Sequence, residues 1–157
     1  MLSLHALELN FVLPIGGYAL KLGLSNLVLV FVLFYFSKSE AFGLLLLKLL
    51  TLFFFEPRYT AFSLLISASG GVLSLLGMLL AKIIKKNGVV YASIIGGILH
   101  NIGQWTAVLL ISRIVQIWVY LPFLIIIGAI SGFLIGSLSH KMLQRLEILK
   151  NKHRYYE

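Results

Sequence analysis

The strongest constraint on this chain is that its charges collect in short clusters between apolar runs of about 15 residues or more, the pattern of a chain whose solvent is lipid. Five such runs cover 22–36, 41–55, 61–84, 89–112 and 122–139. The breaks between them are Ser37-Lys38, Glu56-Pro57-Arg58, Lys85-Lys86-Asn87-Gly88 and Arg113. Composition agrees: 60% of the 157 residues are hydrophobic, mean hydropathy is +1.01 and only 11% are charged, against about 25% charged in soluble domains. The expected fold class is therefore all-α, a polytopic membrane protein. A sixth apolar segment, 2–13, is closed by Pro14-Ile15-Gly16-Gly17; as a helix it would rise only about 18 Å against a hydrocarbon core of about 30 Å. It is expected as a short or incomplete first helix.

These segments predict one transmembrane helical domain over 1–139 and a basic cytoplasmic tail over 140–157. With six crossings and both termini inside, Lys38, Lys82, Lys85, Lys86, Lys141, Arg145, Lys150, Lys152 and Arg154 fall on the cytoplasmic side, and Lys21, Arg58 and Arg113 outside. That asymmetry obeys the positive-inside rule and predicts a multi-pass protein of the cytoplasmic membrane. Trp118 and Tyr120 suit the outer headgroup level, and Pro122 suits the first turn of the last helix. The tail repeats Met142, Leu146 and Leu149 on one stripe. It reads as a helical extension that rests on the inner leaflet or touches a cytoplasmic partner. The net charge of +8 sits at helix ends, so anionic headgroups, and not nucleic acid, are the expected partners. No cleaved signal peptide is expected, because Glu8, Asn10 and Pro14 interrupt the first twenty residues.

Two stripes of small residues mark close helix packing. One holds Ser67, Gly70, Gly71, Ser74, Gly77 and Ala81; the other is the ladder Gly128, Gly132, Gly136. Such stripes let backbones approach, either within the chain, against another membrane subunit or in a homodimer.

Polar side chains at bilayer depth each cost a few kcal/mol on insertion scales, about 3 for a lysine, and so require a reason. Lys21, Ser25 and Asn26 lead into the second segment, Lys48 sits midway along the third, and the Ser67–Ser74 run, with Ser69, lies in the fourth. His100, Asn101 and Gln104 occupy the middle of the fifth. His100 and Gln104 are four apart and share a helix face. Lys48 is too deep to snorkel fully to either interface. It either pairs with Glu8 or helps bind an anionic or carbonyl-bearing solute. Lys21, Asn26, Lys48, Ser69, His100, Asn101 and Gln104 are accordingly the candidate lining of an outward-facing pocket.

Several chemistries are disfavoured. The chain has no cysteine and no aspartate, so it offers neither a thiolate metal site nor the paired aspartates of magnesium-dependent diphosphate chemistry. Its four histidines, at 5, 100, 140 and 153, have no metal-ligand spacing. No G-x-x-x-x-G-K-[ST] loop or G-x-S-x-G turn occurs. We expect no catalysis, no metal and no cofactor.

The succession Pro14, Lys21-Leu-Gly-Leu-Ser-Asn26, Lys48, Ser69-Gly-Gly-Val-Leu-Ser74, Gly97-Ile-Leu-His-Asn-Ile-Gly-Gln104, Tyr120-Leu-Pro122 and the Gly128–Gly136 ladder resembles the Gx transporter family, also labelled heptaprenyl diphosphate synthase component I. The likeness runs from about Glu8 to Ser139. That family is similar to the substrate-binding S-components of energy-coupling factor importers. The resemblance implies a six-helix S-component-like bundle that captures a vitamin-like solute, with a shared transmembrane coupling subunit and two ATPases as partners. It also implies a longer first helix with small docking residues, where this chain offers Ser3 and Ala6. The rival expectation, from the synthase label, is an accessory membrane subunit that holds a soluble polyprenyl synthase through the basic tail.

Overall fold

A computed structural model of the chain describes residues 13–15, 18–20, 25–55, 61–86 and 88–154, with side chains at 26–54, 61–86 and 88–150. Its packed part is helical: α1 is Ser25–Tyr35, α2 Lys38–Phe55, α3 Ala61–Ile84, α4 Val89–Ser112 and α5 Leu121–Arg154. A 3-10 turn, Val115–Tyr120, joins α4 to α5. Five helices therefore stand among the described residues, and a count of six is not confirmed. The segment expected as the first helix, 2–13, lies outside them except for Leu13. That residue instead opens a local antiparallel pair, β1 (Leu13–Ile15) and β2 (Tyr18–Leu20), with Leu13 opposite Leu20 and Ile15 opposite Tyr18.

α3 and α4 begin and end where the apolar runs do. α2 starts three residues earlier than its run, because Ser37 and Glu40 form the Ser-x-x-Glu pattern of a capping box. The Glu40 amide donates to Ser37 Oγ at 3.3 Å, and the Ala41 amide to the Ser37 carbonyl at 3.1 Å. α5 continues unbroken past Ser139, with no glycine or proline after Gly136 to kink it.

Three helices, α3, α4 and α5, are long and apolar enough to cross a membrane. α1 has only 11 residues, a rise of about 17 Å. α2 carries Lys38, Glu40 and Lys48 within its 18 residues, which dilutes its apolar window. The outward faces confirm the solvent: Phe53 and Phe54 on α2, Leu80 and Ile83 on α3, and Ile126, Ile130 and Leu134 on α5 are all more than half exposed. Water would not tolerate so much contiguous apolar surface on a monomer; lipid does. This is a membrane-type helical protein.

α4 is the central helix, flanked along its length by α3 and α5. The glycine ladder of α5 is what allows that. A Cβ on Gly132 would sit 2.5 Å from the Ser93 carbonyl oxygen and 2.8 Å from Ile94 Cα, and one on Gly136 2.8 Å from Val90 Cα. Gly97 abuts the Gly128 carbonyl in the same way. On the opposite flank a Cβ on Gly103 would meet the Ser69 carbonyl oxygen at 2.7 Å. Gly77 receives Leu99, and Gly96 receives Met78. α1 packs its face of Leu29, Val30 and Leu33 into the cluster that includes Leu45, Leu75, Met78 and Ile135. Its C-terminal end is tied to α3 by Lys82, whose Nζ donates to the Leu33 carbonyl at 2.6 Å and lies 4.9 Å from the Phe34 ring centroid. A cation at a helix C-terminus satisfies otherwise unpaired carbonyls.

At the far end of α4 the chain turns through Arg113, a non-glycine residue at φ 54°, whose amide donates to the Leu109 carbonyl at 2.9 Å. A side chain in this left-handed cap costs about 1 kcal/mol relative to glycine. Arg113→Gly is therefore expected to raise the melting temperature in detergent, by the equivalent of about 0.5–1 kcal/mol; a lower melting temperature would contradict the cap assignment. The following turn is held down by Trp105, whose Nε1 donates to the Ile117 carbonyl at 3.0 Å while its ring meets Trp118 edge-on at 4.6 Å.

Candidate functional site

The middle of α4 presents different polar groups to its two neighbours. His100 is the twelfth of the 24 residues in α4 and is only 8% exposed. It faces α3 at Gly70, where a Cβ would sit 3.1 Å from His100 Cε1 and 2.6 Å from Gln104 Cγ. Glycine at 70 thus makes room for both side chains, four residues apart on one face of α4. A backbone group of Gly70 lies within polar reach of the imidazole, yet Nδ1 is buried with no hydrogen-bond partner within the described protein. One turn along the same face of α3, Ser74 Oγ is fully buried and equally without a partner. Each such group costs about 1–3 kcal/mol unless something satisfies it.

Lys48 approaches from α2. Ala41, Leu45, Lys48 and Leu52 follow helical spacing, and the three apolar members are each at most 3% exposed, so Lys48 belongs to the inward face of its helix. Leu45, one turn before it, seats on α3 where Gly71 leaves room for its Cδ1. This contact sets the rotation of α2 and brings the Lys48 ammonium within electrostatic range of the His100 ring. Lys48 is half-buried and sits near the centre of α2.

The remaining candidates distribute as follows. Asn101 is 7% exposed and points to the opposite flank, where Nδ2 donates to the Leu124 carbonyl of α5 at 2.8 Å. Ser69 Oγ shares its proton between the Ile66 carbonyl at 2.9 Å and the Gly103 carbonyl of α4 at 3.0 Å. Both are interhelical ties that hold α4 in place. Asn26 is 5% exposed in the first turn of α1, on the face of Leu29, Val30 and Leu33. Lys21 and Glu8, with any Lys48–Glu8 pair, lie outside the described residues. Among the described residues no three His, Cys, Asp or Glu side chains gather as a metal-binding group. Gly128, Gly132 and Gly136 pack against α4 within the chain, and Gly70 and Gly71 receive site-forming side chains.

The structure therefore gathers polar groups on the α3-facing side of α4: His100 and Gln104, with Lys48 within electrostatic range and Ser74 on the facing helix. Sequence reading placed Gly70 and Ser74 in the packing stripe and left both out of the candidate lining, although it singled out the Ser67–Ser74 polar run. For Asn101 the expected consequence of its tie is specific. Asn101→Ala should destabilise the protein by about 1 kcal/mol, the typical worth of such a bond, seen as a lower melting temperature without loss of any solute that copurifies.

Compared with known proteins, residues 1–142 match the family model described as heptaprenyl diphosphate synthase component I, and the chain belongs to that family. No curated protein matches it, and neither does any solved structure.

Proposed function

We propose that this member of the family is the substrate-binding membrane subunit of an importer, taking up a small vitamin-like or anionic metabolite from outside the cell. One observation carries the reading: at mid-helix depth a buried His100, packed against α3, leaves Nδ1 unsatisfied in the electrostatic field of Lys48 on the inward face of α2. Buried polar groups converging on common space are the usual sign of a ligand that completes them. In this proposal Lys48, His100 and Gln104 contact the solute and Ser74 contributes a hydroxyl. Asn101 and Ser69 brace α4 against α5 and α3 without touching the solute.

The chain itself performs no chemistry in this reading. Translocation is driven by a partner module of the energy-coupling factor type, a transmembrane coupling subunit with ATPases. The protein resides in the cytoplasmic membrane with its C-terminus in the cytoplasm, as the distribution of basic residues supports.

The test is solvent extraction of the purified protein followed by mass spectrometry. Wild-type protein is expected to release one enriched metabolite, absent from Lys48→Ala and His100→Ala variants of unchanged melting temperature. Identical extracts from all three proteins would count decisively against capture at this site. The family's description as a synthase component favours a second reading, an accessory membrane subunit that recruits a soluble polyprenyl synthase through the basic tail. That reading requires deletion of 141–157 to release such a synthase activity from membranes while leaving the extracted metabolite unchanged.

A further inference from the structure

The packing of α5 on α4 fixes which residues share a level. Gly128 abuts Gly97, Gly132 abuts Ser93, and Gly136 abuts Val90, so the helices run antiparallel and each turn up α5 is one turn down α4. One more turn brings His140 level with the α3–α4 connection at Lys85 and Lys86. At that level Lys85, Lys86, Lys141 and Arg145 are all exposed. They adjoin exposed apolar side chains on the bilayer side: Ile83 and Ile84 are 80% and 76% exposed, and Leu138, three residues before Lys141, is 50% exposed. Lys82 stands apart, its ammonium being bonded to Leu33.

From this juxtaposition we propose that the ends of α3 and α4 together with the 141–145 turn of α5 bind the phosphate headgroup of an anionic phospholipid. The ligand chemistry follows from the surroundings. Four cations select an anion, and apolar side chains immediately beneath them select one that carries acyl chains, whereas a free phosphate would leave those side chains uncovered. The level matters as much as the charge. The interfacial layer is only about 5–7 Å deep, and the unbroken helix carries Lys150 about 15 Å beyond His140. Lys85, Lys86 and Lys141 attach at that level, and Arg145, about 7.5 Å past His140, reaches back to it with its long side chain; Lys150 and Lys152 attach past it.

The experiment is native mass spectrometry of the full chain, transferred from nanodiscs of equal phosphatidylglycerol and phosphatidylcholine into mild detergent. Wild-type protein should retain phosphatidylglycerol over phosphatidylcholine by about tenfold or more. K85Q/K86Q/K141Q/R145Q should lose that preference, and K150Q/K152Q, with a smaller loss of charge placed beyond the headgroups, should keep it. If the quadruple variant melts early, K85Q/K86Q and K141Q/R145Q separately should each lower the preference about threefold. Retention of both lipids alike, an equal loss in K150Q/K152Q, or displacement of the lipid by farnesyl diphosphate would overturn the assignment.

Discussion

Gly132→Val is expected to be among the most damaging single substitutions in the protein, destabilising it by about 3 kcal/mol or more. The reason is the nature of the neighbour. Around Gly132 the atoms in the way are the Ser93 carbonyl oxygen, 2.5 Å from a Cβ, and Ile94 Cα at 2.8 Å. Both are backbone of a neighbouring helix, and a backbone cannot rotate aside as a side chain can. The valine would push α5 off α4, and the van der Waals contact that drives association in lipid falls steeply with separation. The displacement would also lengthen the Asn101–Leu124 tie, so the effects compound. Gly43→Val is the matched control, since nothing lies within 4 Å of its Cβ position. It should melt within a few degrees of wild type, whereas Gly132→Val should lose its monodisperse elution peak in detergent.

Lys48→Ala and His100→Ala should each weaken binding of the extracted metabolite by about 10- to 100-fold, as expected for hydrogen bonds involving a charged partner away from water. Their effects on stability should be small. His100 leaves an unsatisfied buried nitrogen in the protein alone, so removing it deletes a desolvation cost along with some packing. The signature of a binding role is thus a large loss of affinity with little loss of stability. Lys48→Arg keeps the charge but not the compact shape of the ammonium and should recover only part of the affinity. If His100 served packing alone, His100→Phe would retain the metabolite.

Much of the fold was legible in the sequence because hydropathy and helix breaks report directly on burial in lipid. The bounds of α3 and α4 coincide with their apolar runs, and the Gly128–Gly136 ladder lies against a neighbouring helix as its spacing implies. The beginning of α2 was less visible, because Ser37 and Lys38 look like a break until the Ser37–Glu40 cap is recognised. The strand pair Leu13–Ile15 and Tyr18–Leu20 was not anticipated, because Pro14-Ile15-Gly16-Gly17 reads simply as the close of an apolar helix.

The site was legible in its residues but not in its directions. His100, Asn101 and Gln104 all stood out, yet periodicity alone does not say which neighbour each face will meet. Asn101 turns to α5 and Ser69 spans two helices, so two polar residues expected in a pocket serve as interhelical bonds. Gly70 shows the converse. Its small size reads as packing, and it is indeed close-packed, but against the side chains of His100 and Gln104. Which helices neighbour α4, and at what rotation, depends on contacts such as Leu45 on Gly71 that no single segment encodes.

The central claim is that the α2 lysine and the α4 imidazole attend the same solute. A cryo-electron microscopy map of the protein loaded with its extracted metabolite tests it most directly. The account predicts ligand density between α2, α3 and α4, within hydrogen-bonding distance of both Lys48 Nζ and His100 Nδ1. Density elsewhere in the bundle, with Nδ1 still facing only protein, would contradict it.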